Sequence, residues 1–283
     1  MDVALGPEQE WPPRPPRRSS AGWLDEELPC APAARCLTRR PLDTPPVGLS
    51  DVCAILEDGR FWTEYQPIVN ARNGRTIGFE ALGRFCSRDG APVAPATVFS
   101  ALRADPALLF RAEVTLKFHQ LEHAPDAPLF LNLDPGSWCQ TVDAAANAFL
   151  GLIASAQRRV VVEITESCTA DHALGTAGVV ASLRARGFTV ALDDLGAVGA
   201  LLSFEALANS DILKFDRAVI GRLREPRCRA LVEMLIRMTQ QTGAYTVLEG
   251  VERADEFVMA RDLGFDFVQG FLFNERVQVA RRR

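Results

Sequence analysis

Lysine is nearly missing from this chain, with 2 residues against 29 arginines among 283. A cation needed only for its charge is therefore almost always arginine here, so each lysine calls for its own reason. Cysteine pairs are missing too. The seven cysteines are scattered with no CxxC spacing, which reads as reduced thiols packed as small hydrophobes. Only Cys30 and Cys36 stand close enough to suggest a clip, and two ligands do not define one. Basic excess is absent: a net charge of −5 argues against polymeric nucleic acid and anionic membranes. It argues less against a small anionic ligand, because bound metal ions reverse a local field. No apolar run is long enough to span a bilayer, and the opening MDVALGPEQEWPPRPP lacks an apolar signal core. A cytoplasmic protein with no membrane span is the expectation.

Proline is present but uneven. Ten of the 18 prolines fall within residues 1–48, where WPPRPPRR favours an extended polyproline segment and no core. Residues 1–48 are read as a disordered Pro/Arg-rich tail, either a solvated leader or a docking arm for a protein partner. Residues 49–283 then form one domain whose length suits a single barrel.

Within that domain six apolar runs each carry polar residues at or near their ends. PLFLNLD holds Asn132 and Asp134, VVVEITE holds Glu163 and Glu166, and TVALDDL ends on Asp193 and Asp194. ILKFD holds Lys214, TVLEGVE holds Glu249 and Glu252, and FVQGFLF holds Gln269. Between them lie helix-like stretches, most closing on glycine. Such alternation predicts right-handed βαβ units and a parallel barrel, whose strand tips all meet on one face. Earlier, FWTEYQPIVN and TIGFEALGRF flank Asn73-Gly74, a hairpin signal that predicts an antiparallel first strand pair. The run ALLFRAEVTLKFHQLEH predicts a helix with Phe110, Val114, Phe118 and Leu121 on its inner face and Lys117 facing water. The fold class is α/β, a TIM-like barrel with an antiparallel first strand.

Glu80, Asn132, Glu163 and Asp193 are hard oxygen donors, a set that suits Mg²⁺ or Mn²⁺ rather than zinc. The histidines fall on helices, away from every strand tip. Adjacent Asp193 and Asp194 can both reach inward where the strand bends into its loop. Lys214, inside an apolar run, supplies a compact and tunable ammonium that arginine would not.

Together these residues resemble the EAL domain family, the cyclic di-GMP-specific phosphodiesterases. EALGRF at 80–85 is similar to the family signature, and YQPIVN, FLNLD, EITES, ALDDLG, ILKFD, LEGVE and VQGFLF follow the family's motifs in order, over roughly residues 58–275. The resemblance implies a dimeric barrel with two Mg²⁺ or Mn²⁺ ions that hydrolyses cyclic di-GMP to linear pGpG by in-line attack of water. It places Glu80, Asn132, Glu163 and Asp193 on the first ion, Asp193 bridging, and Asp194 on the second. Lys214 and Glu249 would position and activate the water, with Gln269 supporting that network. Gln66 and Arg84 would bind substrate, Arg84 through a phosphate, and Glu166 would brace the loop after the Asp pair.

That loop departs from the family. Where the family reads DDFGTGYSSL, this chain reads DDLGAVGALL, so Ala197 replaces a threonine hydroxyl and Val198 a permissive glycine. The closing QGFLFNERV also lacks the family's following proline. The first departure leaves a second reading open, a receptor for cyclic di-GMP or an interaction module that does not cut.

Overall fold

The computed structural model describes residues 48–134, 148–156, 158–165, 170–199 and 203–281. The proline-rich stretch up to residue 47 and Glu166 lie outside the described residues.

A helix, α1 (Leu49–Glu57), leads into β1 (Phe61–Asn70), which turns at Asn73-Gly74 into β2 (Thr76–Cys86). Gly74 adopts φ 68, a left-handed value that favours glycine in a tight turn. The two strands pair antiparallel, with Gln66 opposite Glu80 and Glu64 opposite Leu82. A short β3 (Pro92–Val93) extends the edge, and α2 (Pro95–Leu102) and α3 (Pro106–Glu122) follow. Both helices start on proline, whose missing N–H costs nothing in a first turn. Asp105 caps α3 by accepting from the N–H groups of Ala107 and Leu108.

From there strand and helix alternate. The strands are β4 (Leu129–Leu133), β5 (Val160–Thr165), β6 (Thr189–Leu195), β7 (Ile212–Phe215), β8 (Tyr245–Leu248) and β9 (Phe267–Val268). The helices are α4 (Ala148–Ser155), α5 (Ala170–Ala185), α6 (Phe204–Asn209), α7 (Ala218–Arg222), α8 (Pro226–Thr242) and α9 (Ala254–Leu263). Gly243 and Gly264 close α8 and α9 in the left-handed conformation. The strands β2, β4, β5, β6, β7, β8 and β9 run parallel, and β1 closes the ring by pairing antiparallel with both β2 and β9. The result is a closed eight-stranded mixed barrel. After a 3₁₀ turn (Phe271–Arg276), β10 (Gln278–Arg281) adds to the outer half of β1, with Arg281 opposite Trp62.

The near-continuous apolar runs of β5, β7 and β8 are buried on both sides, as parallel barrel strands must be. One apolar cluster fills the barrel and the layer under its helices. A second, built on Val52, Phe61, Phe85, Val98 and Leu116, joins α1, α2 and α3 to the β1–β2 hairpin.

Helix α3 lies between the two clusters and therefore has two apolar faces. Phe110, Val114 and Leu121 pack half-buried against the barrel cluster, and Leu109, Ala112 and Leu116 against the other. Phe118, expected on the inner face, is 57% exposed. Lys117 also differs from expectation: it does not face water but is 2% exposed. Its Nζ lies 3.0 Å from Glu113 Oε2, and Glu113 Oε1 accepts the backbone N–H of Asp134 at 3.3 Å. The second apolar face takes up the helix surface that a single-faced reading gives to solvent, and the buried ammonium carries its counter-ion one turn away.

Candidate active site

The carboxyl ends of the parallel strands converge on one cavity of about 290 Å³, lined by Gln66, Glu80, Asp193, Asp194, Glu249 and Gln269 together with Leu82, Asp216, Arg217, Glu252 and Phe271. Glu80 comes from β2, Asn132 from β4, Glu163 from β5, the Asp pair from β6 and Lys214 from β7. Glu249 and Gln269 directly follow β8 and β9. Gly250, next to Glu249, sits at φ 69, and a Cβ there would collide with Cβ of Arg217. Glycine at this position lets the loop after β7 pack against the loop after β8.

Oxygens of Glu80, Glu163 and Asp193 all lie within 4.8 Å of one another, and so do those of Asp193, Asp194 and Glu249. Asp193 belongs to both groups. Two neighbouring residues reach the same cavity because the β6–β7 register shifts between Leu192 and Leu195 and Asp194 turns to φ 59. Asp is one of the few side-chain-bearing residues that visits this region.

Lys214, fully buried, stands among four carboxylates. Its Nζ lies 2.6 Å from Glu163, 2.7 Å from Glu249, 3.1 Å from Asp193 and 3.4 Å from Glu80. Gln269 donates to Glu80 at 2.6 Å and to Gln66 at 2.9 Å, and Asn132 donates to Glu80 at 2.7 Å. Burial alone would lower the Lys214 pKa, but Asp193, Glu163, Glu249 and Glu80 hold it well above the usual ammonium value. Burial would raise Glu80, yet Lys214, Gln269 and Asn132 pull it below the usual carboxylate range. Burial and the neighbouring Glu80 push Glu163 well up. Burial also pushes Asp193 up. Asp194 rises to about 6 through burial and Asp193, and Glu249 to about 8 chiefly through burial.

One ammonium therefore faces more carboxylates than it can neutralise, so the cluster is short of positive charge. Among the described residues, Glu163 Oε2 and Gln269 Oε1 are buried without a hydrogen-bond partner. Hard oxygen donors, unneutralised charge and orphaned oxygens together fit divalent cations of the Mg²⁺ or Mn²⁺ type.

Arg84 lies outside the cavity lining: its Nε bonds Glu64 Oε2 at 2.7 Å, just above Leu82 on the same strand face. Sequence reasoning passed over Asp216, Arg217, Phe271 and Glu64. Asp216 had a signal, since it ends the same ILKFD run as Lys214 and raises the pKa of Asp194. Glu64 had none, because it reads as an ordinary polar position of an alternating strand.

The EAL domain family model matches residues 51–276. The chain is 31% identical over 230 residues to an uncharacterized protein of Azorhizobium caulinodans, covering 74% of this chain and 30% of that protein. It is 26% identical over 234 residues to the cyclic di-GMP phosphodiesterase RocR of Pseudomonas aeruginosa, covering 80% of this chain and 59% of that one. The chain thus spans less than two thirds of either relative. Among solved structures, the manganese/cyclic di-GMP complex of Klebsiella pneumoniae BlrP1 superposes with a TM-score of 0.61 at 26% identity, covering 75% of this chain and 55% of that one. With its barrel, its ring of acids around one lysine and this match over most of its length, the chain belongs to the EAL domain family.

Proposed function

We propose that this domain hydrolyses cyclic di-GMP to linear pGpG with the help of two Mg²⁺ or Mn²⁺ ions. The observation that carries the reading is the paired oxygen clusters sharing Asp193, with Lys214 at their centre. Glu80, Asn132, Glu163 and Asp193 would hold one ion, and Asp193 and Asp194, with Glu249 beside them, would hold the second. When bound, such ions stabilise the charge that builds on the phosphoryl oxygens.

The chain's own groups account for the rest. Glu249, at the cavity wall 2.7 Å from Lys214, would take the proton of the attacking water. The Lys214 ammonium, unable to lose its proton among four carboxylates, orients that water and opposes the growing negative charge. Gln269 fixes Glu80 through its amide N–H and keeps its own oxygen free for the same water. The water oxygen bonds to phosphorus, the bond from phosphorus to the ribose O3′ breaks, and O3′ leaves as a hydroxyl on taking up a proton equivalent to the one Glu249 accepted. Ring opening yields one phosphomonoester and leaves the second phosphodiester intact.

A receptor that binds without cutting is the second reading, favoured by the segment after the Asp pair. There Ala197 offers no hydroxyl, and Val198 is 92% exposed. Incubating the full chain with cyclic di-GMP and Mn²⁺ or Mg²⁺ separates the two. Appearance of pGpG, abolished by chelator, is expected; metal-dependent binding without pGpG would establish the receptor.

A further inference from the structure

Above the metal-type cluster, the inner wall of β1 and β2 continues toward the mouth. Side chains alternate along a strand, so Trp62 and Glu64 share the face of Gln66, and Leu82 and Arg84 share the face of Glu80. Glu64 stands two residues beyond Gln66, a rise of about 7 Å along the strand, which places it a nucleoside's reach from the cluster.

The wall is organised around the Glu64 carboxylate. Its Oε2 accepts from Arg84 Nε at 2.7 Å, while Oε1 has only a long 3.4 Å contact with the Trp62 indole N–H. Arg84 Nη1 donates to Gly83 O at 3.2 Å, so Nη2 has no partner among the described residues. The guanidinium of Arg281, from β10, lies 5.7 Å from the Trp62 ring centre and pins it. Trp62, Glu64 and Arg84 are all half-buried.

An anion at this place is costly for a phosphate-binding cavity. The lining already holds six acids, Glu80, Asp193, Asp194, Asp216, Glu249 and Glu252, against Arg217. Arg84 meets the Glu64 carboxylate through one oxygen, and the other repels a dianionic ligand unless it accepts hydrogens from that ligand. Guanine offers them: N1–H and the 2-amino group stand side by side, while O6 is an acceptor of the kind that arginine recognises. Adenine offers the opposite pattern at N1.

We infer that Glu64 determines base specificity, its Oε1, held only by the long Trp62 contact, accepting from the guanine N1–H and 2-amino group while Arg84 fixes the carboxylate through Oε2. The inference rests on the cyclic di-GMP reading of the site and adds the residue through which the base is read.

The test is binding by the full chain, titrated calorimetrically in Ca²⁺ to suppress turnover. The ligands are cyclic di-GMP and cyclic di-IMP, which differs only in lacking the 2-amino groups. Wild type should prefer cyclic di-GMP by about tenfold or more, the worth of a hydrogen bond to a charged acceptor. Glu64→Ala should bring the ratio to near one, and Glu64→Gln, a neutral acceptor of the same shape, should leave an intermediate ratio. Thermal melts check that both variants fold. If Glu64 merely anchors Arg84, its substitution weakens both ligands equally and the ratio survives, which overturns the inference. A wild type that binds both ligands equally overturns it as well and leaves the dinucleotide reading standing. A wild type that binds neither overturns both.

Discussion

The chain's only two lysines are both buried, and their surroundings differ in one respect. Lys117 faces a single carboxylate, Glu113, on the next turn of its own helix. Lys214 faces four, drawn from four separate segments of the barrel. Both are ion pairs removed from water, where removing one partner costs far more than replacing both. The first is balanced and needs nothing more. The second holds surplus negative charge, which adds to burial in pushing Glu163 and Glu249 toward their neutral forms, and would be completed by added cations. Burial of a charge therefore says little by itself about function; the local charge balance says more.

The largest effect should come from removing one of the carboxylates that make the imbalance. Glu80→Ala removes a donor common to the oxygen cluster and the Gln269 network. Loss of hydrolysis by about 10³-fold or more is expected, with Mn²⁺ affinity falling in parallel by titration. Retained activity in excess chelator would refute the cation assignment.

Lys117→Met should leave Glu113 buried and unpaired, destabilising the fold by about 3–5 kcal/mol in denaturant melts. Adding Glu113→Leu should recover much of that loss, while the hydrolysis rate per folded molecule changes little. A double variant as unstable as the single one would show that the pair does more than balance itself.

Lys214→Arg keeps the charge but replaces a compact donor by a wide planar fork. Turnover should fall about 100-fold or more while cyclic di-GMP binding in Ca²⁺ persists. Wild-type turnover in this variant would reduce Lys214 to the plain counter-ion role of Lys117.

The imbalance also predicts a pH signature. Asp194 near 6 and Glu249 near 8 keep protons in the folded state that the unfolded chain releases above about pH 4. With more protons bound when folded, stability without metal falls as pH rises from about 4 through 8. Glu80 is shifted the other way and opposes the trend, but Glu163 and Asp193 reinforce it. Thermal melts in chelator should show lower midpoints at pH 8 than at pH 5, and Mn²⁺ should flatten the slope. Identical slopes with and without metal would count against the surplus-charge account.

The smallest effect concerns the loop after the Asp pair. Leu195→Phe, Ala197→Thr, Val198→Gly, Gly199→Tyr, Ala200→Ser and Leu201→Ser together should raise turnover, by less than about 100-fold, more than they tighten binding. An unchanged rate would mean that Asp194 is already held by its own turn.

Much of the barrel was legible in the chain because its signals are local. Asn73-Gly74 marks the hairpin, glycines mark helix ends, and apolar runs mark buried strands. The acids at strand tips were legible because charge inside an apolar run is costly and stands out. Two things were not. Helix α3 contacts two cores, a fact of tertiary packing that a single periodic stripe does not encode, so Lys117 read as solvated. Glu64 gains its surroundings only from a strand twenty residues on, and nothing in its immediate neighbours distinguishes it, whereas Asp216 stands in the run of Lys214 and was passed over.

The reversed first strand has a mechanical consequence. In an all-parallel barrel the first strand would begin on the face opposite the site. Here β1 begins, and β10 finishes, at the rim of the cavity, and the two are hydrogen-bonded side by side with Trp62 opposite Arg281. Force applied through either flank reaches the wall that carries Glu64 within a few residues, without crossing the barrel. A load carried by either segment thus enters the fold at the cavity mouth and not at the far end of the barrel.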